Sequence, residues 1–317
     1  MKVLVTGGCG YKGSVLVPKL LAMGHEIWVL DTQWFGNALK PHPNLAVTKG
    51  DIREPFALDG VDAIIHLAGI ANDPCGELDA KLTWEVNVLA HYFLCDAAAR
   101  AGVKQFIYAS SVSVYGIKGD EEIVESMTLA PVSDYNKTKM CAERILLSYA
   151  DRMAVQIVRP ATVCGVSPRM RLDTMVNTLT AQAVRGDVIT AHCGEHGGRL
   201  MRPNIHIEDI TDLYCWLLER PHIYGVMNAS FENLSALETA QLIAKTLPGS
   251  EFVITPVKDK RSYKVNSDLM KGYGFLPKHS VVGAITEVAA ALKQGRIVDD
   301  DRAYNLKWMT KNGWVRT

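Results

Sequence analysis

The sequence predicts an α/β protein built on a doubly wound parallel sheet, with a smaller C-terminal lobe. Three observations carry that expectation. A short apolar strand, 3–5, runs into a G-x-x-G-x-x-G turn formed by Gly7, Gly10 and Gly13, then into a helical pattern closed by Gly24. Apolar strand runs recur at 45–48, 63–67, 105–109 and 155–158, with helical patterns between them, clearest at 83–101 and 133–149. Alternation of this kind argues for parallel strands joined by crossover helices. Hydrophobic residues make up 48% of the 317, enough for a sizeable core.

Each glycine of the turn has a physical task. The first allows the tight reversal, the second lets backbone approach a pyrophosphate, and the third lets helix and strand pack closely. Free N–H groups at the helix N-terminus then face the phosphates. Gly7, Gly10, Tyr11, Lys12 and Gly13 are therefore candidate dinucleotide-binding residues. Pro18 falls inside this first helix, where proline costs roughly 3 kcal/mol or a kink, so a distorted turn is expected. A second strand, 25–30, ends at Asp31. A carboxylate there accepts bonds from the adenosine ribose and repels a 2′-phosphate, which favours NAD over NADP.

Composition excludes several classes. Lys plus Arg equals Asp plus Glu, 34 each, so no nucleic-acid or anionic-membrane partner is expected. No run approaches the roughly 18 apolar residues that span a bilayer. With a glycine turn this near residue 1 no signal peptide is expected, and the seven cysteines are scattered without a C-x-x-C pair. They read as reduced thiols of a cytoplasmic enzyme. His192, Cys193 and His196 read as residues of a glycine-rich loop without a second ligand pair, so no metal site is expected.

The catalytic candidates follow the strand at 105–109. A serine-rich end, Ser110-Ser111-Val112-Ser113, leads to Tyr135-Asn136-Lys137-Thr138-Lys139. Tyr135 and Lys139 stand at i and i+4, so both project from one helix face, while Lys137 points elsewhere. A phenol with a pKa near 10 is a poor base at neutral pH. An adjacent ammonium and a positively charged nicotinamide ring are expected to lower that pKa. Tyr135 then takes a proton from a hydroxyl while hydride leaves the same carbon, Ser111 orients the reacting oxygen, and Lys139 holds the nicotinamide ribose.

In this order, the glycine turn, Asp31, Gly50-Asp51-Ile52, His66-Leu67-Ala68-Gly69, Asn87, the serine strand end and Y-x-x-x-K resemble the extended short-chain dehydrogenase/reductases, in particular the NAD-dependent epimerase/dehydratase family. The resemblance is strongest over 1–165 and looser beyond. It implies a Rossmann-type sheet with NAD as cofactor. It assigns Asp51 and Ile52 to the adenine, Leu67, Ala68 and Gly69 to the cofactor wall, and Asn87 to support near the active site. Ser110, Pro160 and Val163 join the cofactor set. Gly69 replaces the commoner Ala, and Ala71 stands where galactose epimerases carry a lysine.

Arg159-Pro160-Ala161-Thr162-Val163-Cys164-Gly165 resembles the family's R-x-x-x-V-Y-G turn, with Cys164 in place of its Tyr. The resemblance further implies a nucleotide-diphosphate sugar as substrate, with Thr162, Thr174, Arg202 and Arg261 in its pocket. Thr174, close in sequence to Arg169, Arg171 and Asp173, takes the place of a family Asn, so the pocket departs from the usual pattern. The expected domains are 1–165, rejoined by about 204–230, for NAD, and 166–203 with 231–317 for substrate. The expected reaction is C4 epimerisation through a transient ketone. A 4-ketosugar reductase is the alternative. A 4,6-dehydratase ranks lower, because Val112 and Ser113 stand where its Asp-Glu pair follows the hydroxyl. A non-catalytic NAD-binding protein ranks low because Tyr135 and Lys139 are both present. A homodimer through the helices at 83–101 and 133–149 is expected, since Leu89, Tyr92, Phe93, Cys95, Met140, Ile145 and Leu147 exceed what one packing face requires.

Overall fold

A computed structural model describes residues 1–119, 121–194, 199–257 and 262–314. The chain opens with β1 (Lys2–Thr6), α1 (Gly13–Ala22), β2 (Glu26–Asp31) and β3 (Leu45–Lys49). β4 (Ala63–His66) leads through α2 (Asp73–Leu78) and α3 (Ala80–Trp84) to α4 (Ala90–Ala101). Next come β5 (Gln105–Ala109), β6 (Glu122–Ile123), α5 (Asp134–Leu147), β7 (Ala154–Pro160) and β8 (Thr162–Cys164). The second half contains α6 (Met175–Arg185), β9 (Ile189–Cys193), β10 (Met201–His206), α7 (Ile207–Leu218) and β11 (Gly225–Ala229). β12 (Glu232–Ser235), α8 (Ala236–Thr246), β13 (Phe252–Pro256), β14 (Lys264–Val265), α9 (Asp268–Gly272), α10 (Val281–Lys293) and α11 (Asn305–Lys311) follow.

Seven strands form one parallel sheet in the order β11-β7-β5-β4-β1-β2-β3. Strands β1, β4, β5 and β7 bury both faces, as a sheet covered by helices on both sides requires, while no residue of the edge strand β3 is buried. Val3 and Val5 face one core with Leu16, Leu20, Ile210 and Leu213 of α1 and α7. Leu4 faces the other with Leu94, Ala98, Ala142 and Leu146 of α4 and α5. The strand order reverses between β1 and β4, and a crevice opens there at the carboxyl ends of the strands. A three-stranded sheet, β12-β10-β8, and a third apolar cluster joining α6, α8 and α10 make up the second lobe. Tyr11 ties the glycine turn to that lobe: its hydroxyl donates to Gly165 O at 2.7 Å, and its carbonyl accepts from Ser167 Oγ at 2.8 Å.

At Pro18 the first helix stays unbroken, and two other local expectations change. α1 runs through Pro18 as one continuous helix; the ring lies on the exposed side of the first turns and leaves the buried stripe Leu16, Val17 and Leu20 intact. The single helix expected at 83–101 is interrupted by a π-helical turn at Glu85–Leu89, bounded by α3 and α4. Asn87 lies in that turn, and its buried amide is fully used. Oδ1 accepts from Ile70 N at 2.9 Å, and Nδ2 donates to Ile70 O and Thr138 Oγ1, both at 3.1 Å. A wider turn at a buried, hydrogen-bonded side chain is where such bulges occur. His192 and Cys193 are strand residues of β9, paired with β13, where a loop was expected; His196 lies outside the described residues.

Candidate active site

A cleft of about 840 Å³ lies between the carboxyl ends of the main strands and the second lobe. It is lined by the glycine turn, the ends of β2, β4 and β5, the start of α5, and residues 160–182 of the lobe. This volume lies in the range for sites that bury a small-molecule ligand or cofactor.

The glycine turn has the shape a bound pyrophosphate needs. A Cβ on Gly7, whose φ is +72°, would sit 2.6 Å from Ala68 N, and one on Gly13 would sit 2.5 Å from Gly8 Cα. Both positions are closed by backbone, so glycine is required. At Gly10 a Cβ would meet only Gly7 O, at 3.2 Å, so this position is free to face a ligand. Lys12 lines the same cleft and has no acidic partner among the described residues. Burial and the nearby Arg171 pull its ammonium down to about 8. A close backbone cradle beside an unpaired cation fits a dinucleotide's phosphates.

Asp31 lies at the cleft with both oxygens engaged from one side. Oδ2 accepts from Cys9 N at 2.9 Å, and Oδ1 accepts from Gln33 N at 2.7 Å. Burial pushes its carboxyl upward, while those two bonds and the Arg169 guanidinium oppose the rise. Lone pairs remain on each oxygen for ribose hydroxyls. Asp51, Ile52, Leu67, Ala68, Gly69, Pro160 and Val163 also line the cleft. Asp51 is bound by Arg53 at 2.8 Å, which orients its side chain.

Two of the candidate residues are held by the protein's own buried groups. Asn87 does not line the cleft; it is 3% exposed and holds the 68–71 turn from behind. Gly69 is needed for that fit, because a Cβ there would lie 2.8 Å from Asn87 Oδ1. Ser110 reaches the cleft, but its hydroxyl donates to the buried carboxylate of Glu143. Arg159 grips the same Glu143 with two bonds, 2.9 and 2.6 Å, and donates to Tyr115 Oη at 2.6 Å. Tyr115 in turn donates to Asn228 Oδ1 at 2.8 Å. This network fixes the serine strand end from below.

Ser111, Tyr135 and Lys139 converge on the cleft from β5 and α5. Ser133 caps α5 by accepting from Asn136 N at 3.2 Å, which sets the phase of the helix. Ser111 Oγ bonds to Ser113 Oγ at 2.8 Å, and Ser111 is near enough to the Tyr135 phenol to oppose the rise in its pKa. Lys139 Nζ donates to Ala109 O at 2.9 Å and stands 4.8 Å above the Tyr108 ring.

Lys139 is not among the groups that lower the phenol, and burial governs both side chains. Burial pushes Tyr135 up to about 12, with Ser111 opposing. Burial and repulsion from Lys12 pull Lys139 down to about 7, with Glu143 opposing. Desolvation disfavours the charged form of both groups and sets the direction of both shifts. Lys139 Nζ lies 6.0 Å from the Tyr135 ring centroid.

At the other end, Thr162, Thr174 and Arg202 line the cleft. The Thr174 hydroxyl is buried and finds no hydrogen-bond partner among the described residues. Arg261 lies outside the described residues. Sequence reasoning missed Asp73, Ser113 and His192 as cleft residues, and it mentioned Arg171 only as a neighbour of Thr174. Arg171 is held by Asp173 at 2.8 Å, and its charge is felt at both Tyr135 and Lys12. Asp73 accepts from Ser133 Oγ, and its charge is also felt at Tyr135. The dense alternation of Arg169, Arg171 and Asp173 was the available signal for the lobe residues. Asp73 carried none.

Fold and cleft together define a dinucleotide-binding α/β enzyme with its site at the sheet's switch point. Residues 3–229 match the model of the NAD dependent epimerase/dehydratase family, and the chain belongs to that family. It is an enzyme of the extended short-chain dehydrogenase/reductase type, and NAD is its cofactor. The chain is 27% identical to a UDP-glucose 4-epimerase of Lactobacillus helveticus, with 91% of this chain and 96% of that one covered. Among solved structures, it superposes on MoeE5 in complex with UDP-glucose and NAD with a TM-score of 0.80. That match has 24% identity and covers 94% of this chain and 100% of the other. A UDP-N-acetylglucosamine 4-epimerase from Methanobrevibacter ruminantium, in complex with UDP-N-acetylmuramic acid, gives a TM-score of 0.83 at 21% identity, with 93% and 98% covered.

Proposed function

We propose that this enzyme is a nucleotide-diphosphate sugar epimerase that works by hydride transfer at C4 through a transient ketone. The observation that carries the reading is the convergence of Ser111, Tyr135 and Lys139 on a cleft that continues to Thr162, Thr174 and Arg202. Gly7, Gly10, Tyr11, Lys12, Gly13, Asp31, Asp51, Ile52, Leu67, Ala68, Gly69, Pro160 and Val163 form the NAD side. The partnerless Thr174 hydroxyl offers the sugar side a hydrogen bond that the protein leaves unused. Bound NAD supplies the hydride acceptor and a positively charged ring.

Ser111 orients the reacting sugar oxygen. Tyr135 removes its proton, and the protonated fraction of Lys139 stabilises the phenolate as it forms. Returning the proton and the hydride from the opposite face inverts the centre. Val112 is buried and Ser113 is a hydroxyl, so the two positions after Ser111 carry no acid pair for loss of water.

The NAD-loaded enzyme, incubated with UDP-, GDP-, CDP- and dTDP-hexoses and followed by NMR, is expected to interconvert one C4 pair with no net change in absorbance at 340 nm. Stoichiometric consumption of reduced cofactor with a 4-ketosugar would make it a reductase. Asp31→Ala is expected to narrow the NAD-over-NADP affinity ratio about tenfold, or roughly 1.4 kcal/mol, as read by titration. Tighter binding of NADP by the wild type would refute the role given to Asp31.

The same reading includes a homodimer. Leu89, Tyr92 and Phe93 are 54, 45 and 60% exposed on one stretch beside α4, whereas Cys95 turns inward and is fully buried. Light scattering is expected to give about twice the 34.8 kDa of one chain, and Phe93→Glu to give a folded monomer. A mass near one chain across micromolar concentrations would exclude this interface.

A further inference from the structure

The C-terminal segment crosses from the second lobe to the far end of the cleft, where Asp31 and Ile52 lie. Its lobe end is anchored by three bonds. Leu172 N donates to Ala303 O at 2.8 Å, and Asn305 N donates to Asp173 Oδ2 at 2.9 Å. Arg169 Nη2 donates to Asn305 Oδ1 at 2.6 Å. The Arg169 guanidinium also lies 3.9 Å over the Phe35 ring, so the lobe anchor reaches the loop that follows β2.

The far end of the segment grips that same loop. Trp308 Nε1 donates to Trp34 O at 2.8 Å. Trp34 and Trp314 stack with centroids 5.0 Å apart and planes at 18°, and Phe35 meets Trp314 edge-on at 6.2 Å. The loop is bent to allow this, with Gln33 at φ 56° and Gly36 at φ 85°. Asn305 and Met309 line the cleft together with Asp31, Asp51 and Ile52, and Met309 is only 3% exposed.

We propose that residues 303–314 form the outer wall of the adenosine site and act as a strap that keeps NAD bound between turnovers. The inference rests on the functional reading above. An epimerase returns its hydride to the substrate it came from, so its cofactor need not leave. A wall closed by aromatic stacking and by bonds from both lobes must open before the adenosine can depart. The glycine turn and Lys12 hold the phosphates from the opposite side and do not depend on this segment.

The test uses the full chain and measures NAD without any sugar. Wild type, Trp308→Phe and Trp308→Phe/Trp314→Ala are loaded with NAD, and release is followed by displacement with excess etheno-NAD. Affinities for ADP-ribose and for nicotinamide mononucleotide are read by calorimetry. Release is expected to be severalfold faster in Trp308→Phe, which loses the indole N–H bond to Trp34 and part of the ring that meets Trp314 edge-on, and at least tenfold faster in the double variant. ADP-ribose should weaken in proportion and nicotinamide mononucleotide should not change. Release and ADP-ribose affinity equal to wild type, in variants with unchanged circular dichroism, would overturn the strap. If the double variant does not fold, Trp308→Phe decides alone. A chain that proves to be an exchanging reductase on sugar substrates would refute the functional reading while leaving these rates to stand or fall separately.

Discussion

Tyr135→Phe is expected to lower turnover by two or more orders of magnitude while leaving the fold and NAD binding in place. The ring fills the same volume, and only the hydroxyl beside Ser111 is lost. General acid–base catalysis by one positioned group contributes about 10² to 10⁴ in rate, which sets the scale. Lys139→Met should show a loss of similar order with the opposite sign on stability. The folded protein holds this lysine at about 7 against 10.5 for the free side chain. Between those values the unfolded chain binds a proton that the folded chain has released, so this group makes stability rise with pH there. Removing the costly buried ammonium should therefore raise the melting temperature near pH 7. Near-normal kcat in Tyr135→Phe, measured on the sugar that the panel identifies, would sink the assigned chemistry.

Glu143→Ala and Arg159→Ala should each cost about 3–5 kcal/mol, the penalty for stranding one charge of a buried pair. The side chains are 1% and 5% exposed and meet at 2.6 Å. Glu143 also accepts from Ser110, and Arg159 donates to Tyr115, so either loss frees the strand end that presents Ser111. Glu143→Leu/Arg159→Leu should recover much of the stability, because no charge is then left unpaired. Its activity should remain low, since leucines cannot hold Ser110 and Tyr115. Urea unfolding measures the first effect. A loss under about 1 kcal/mol in both single variants would mean that water reaches the pair and that the network is not a support.

Much of the fold was legible because it depends on short-range pattern. Apolar runs between helical periods mark the strands of the main sheet, and a glycine triplet with an acid at the next strand end marks the switch point. Y-x-x-x-K was readable because helical phase alone places Tyr135 and Lys139 on one face. The same local logic placed Asn87 near the active site without showing what it holds: its partners Ile70 and Thr138 come from other elements, and the helix has a π turn there. Nor does local spacing carry the direction of the pKa shifts of Tyr135 and Lys139. Spacing reports that two groups are neighbours, not that both are buried, and burial set the direction of both shifts.

By itself, then, the sequence determined the alternation of strands and helices in the first half, the glycine cradle, the acid at Asp31 and the Ser-Tyr-Lys set, because each is written in residues close together along the chain. Only the tertiary structure decided what those groups face. It turned Ser110 onto Glu143, put Arg171 and Asp73 within electrostatic reach of Tyr135, left Thr174 without a partner, and brought Asn305 and Met309 against the site of Asp31. The physical reason is sequence separation. Contacts such as Trp308 with Trp34 join residues far apart in the chain, and packing, charge and burial across such distances have no periodic signature to read.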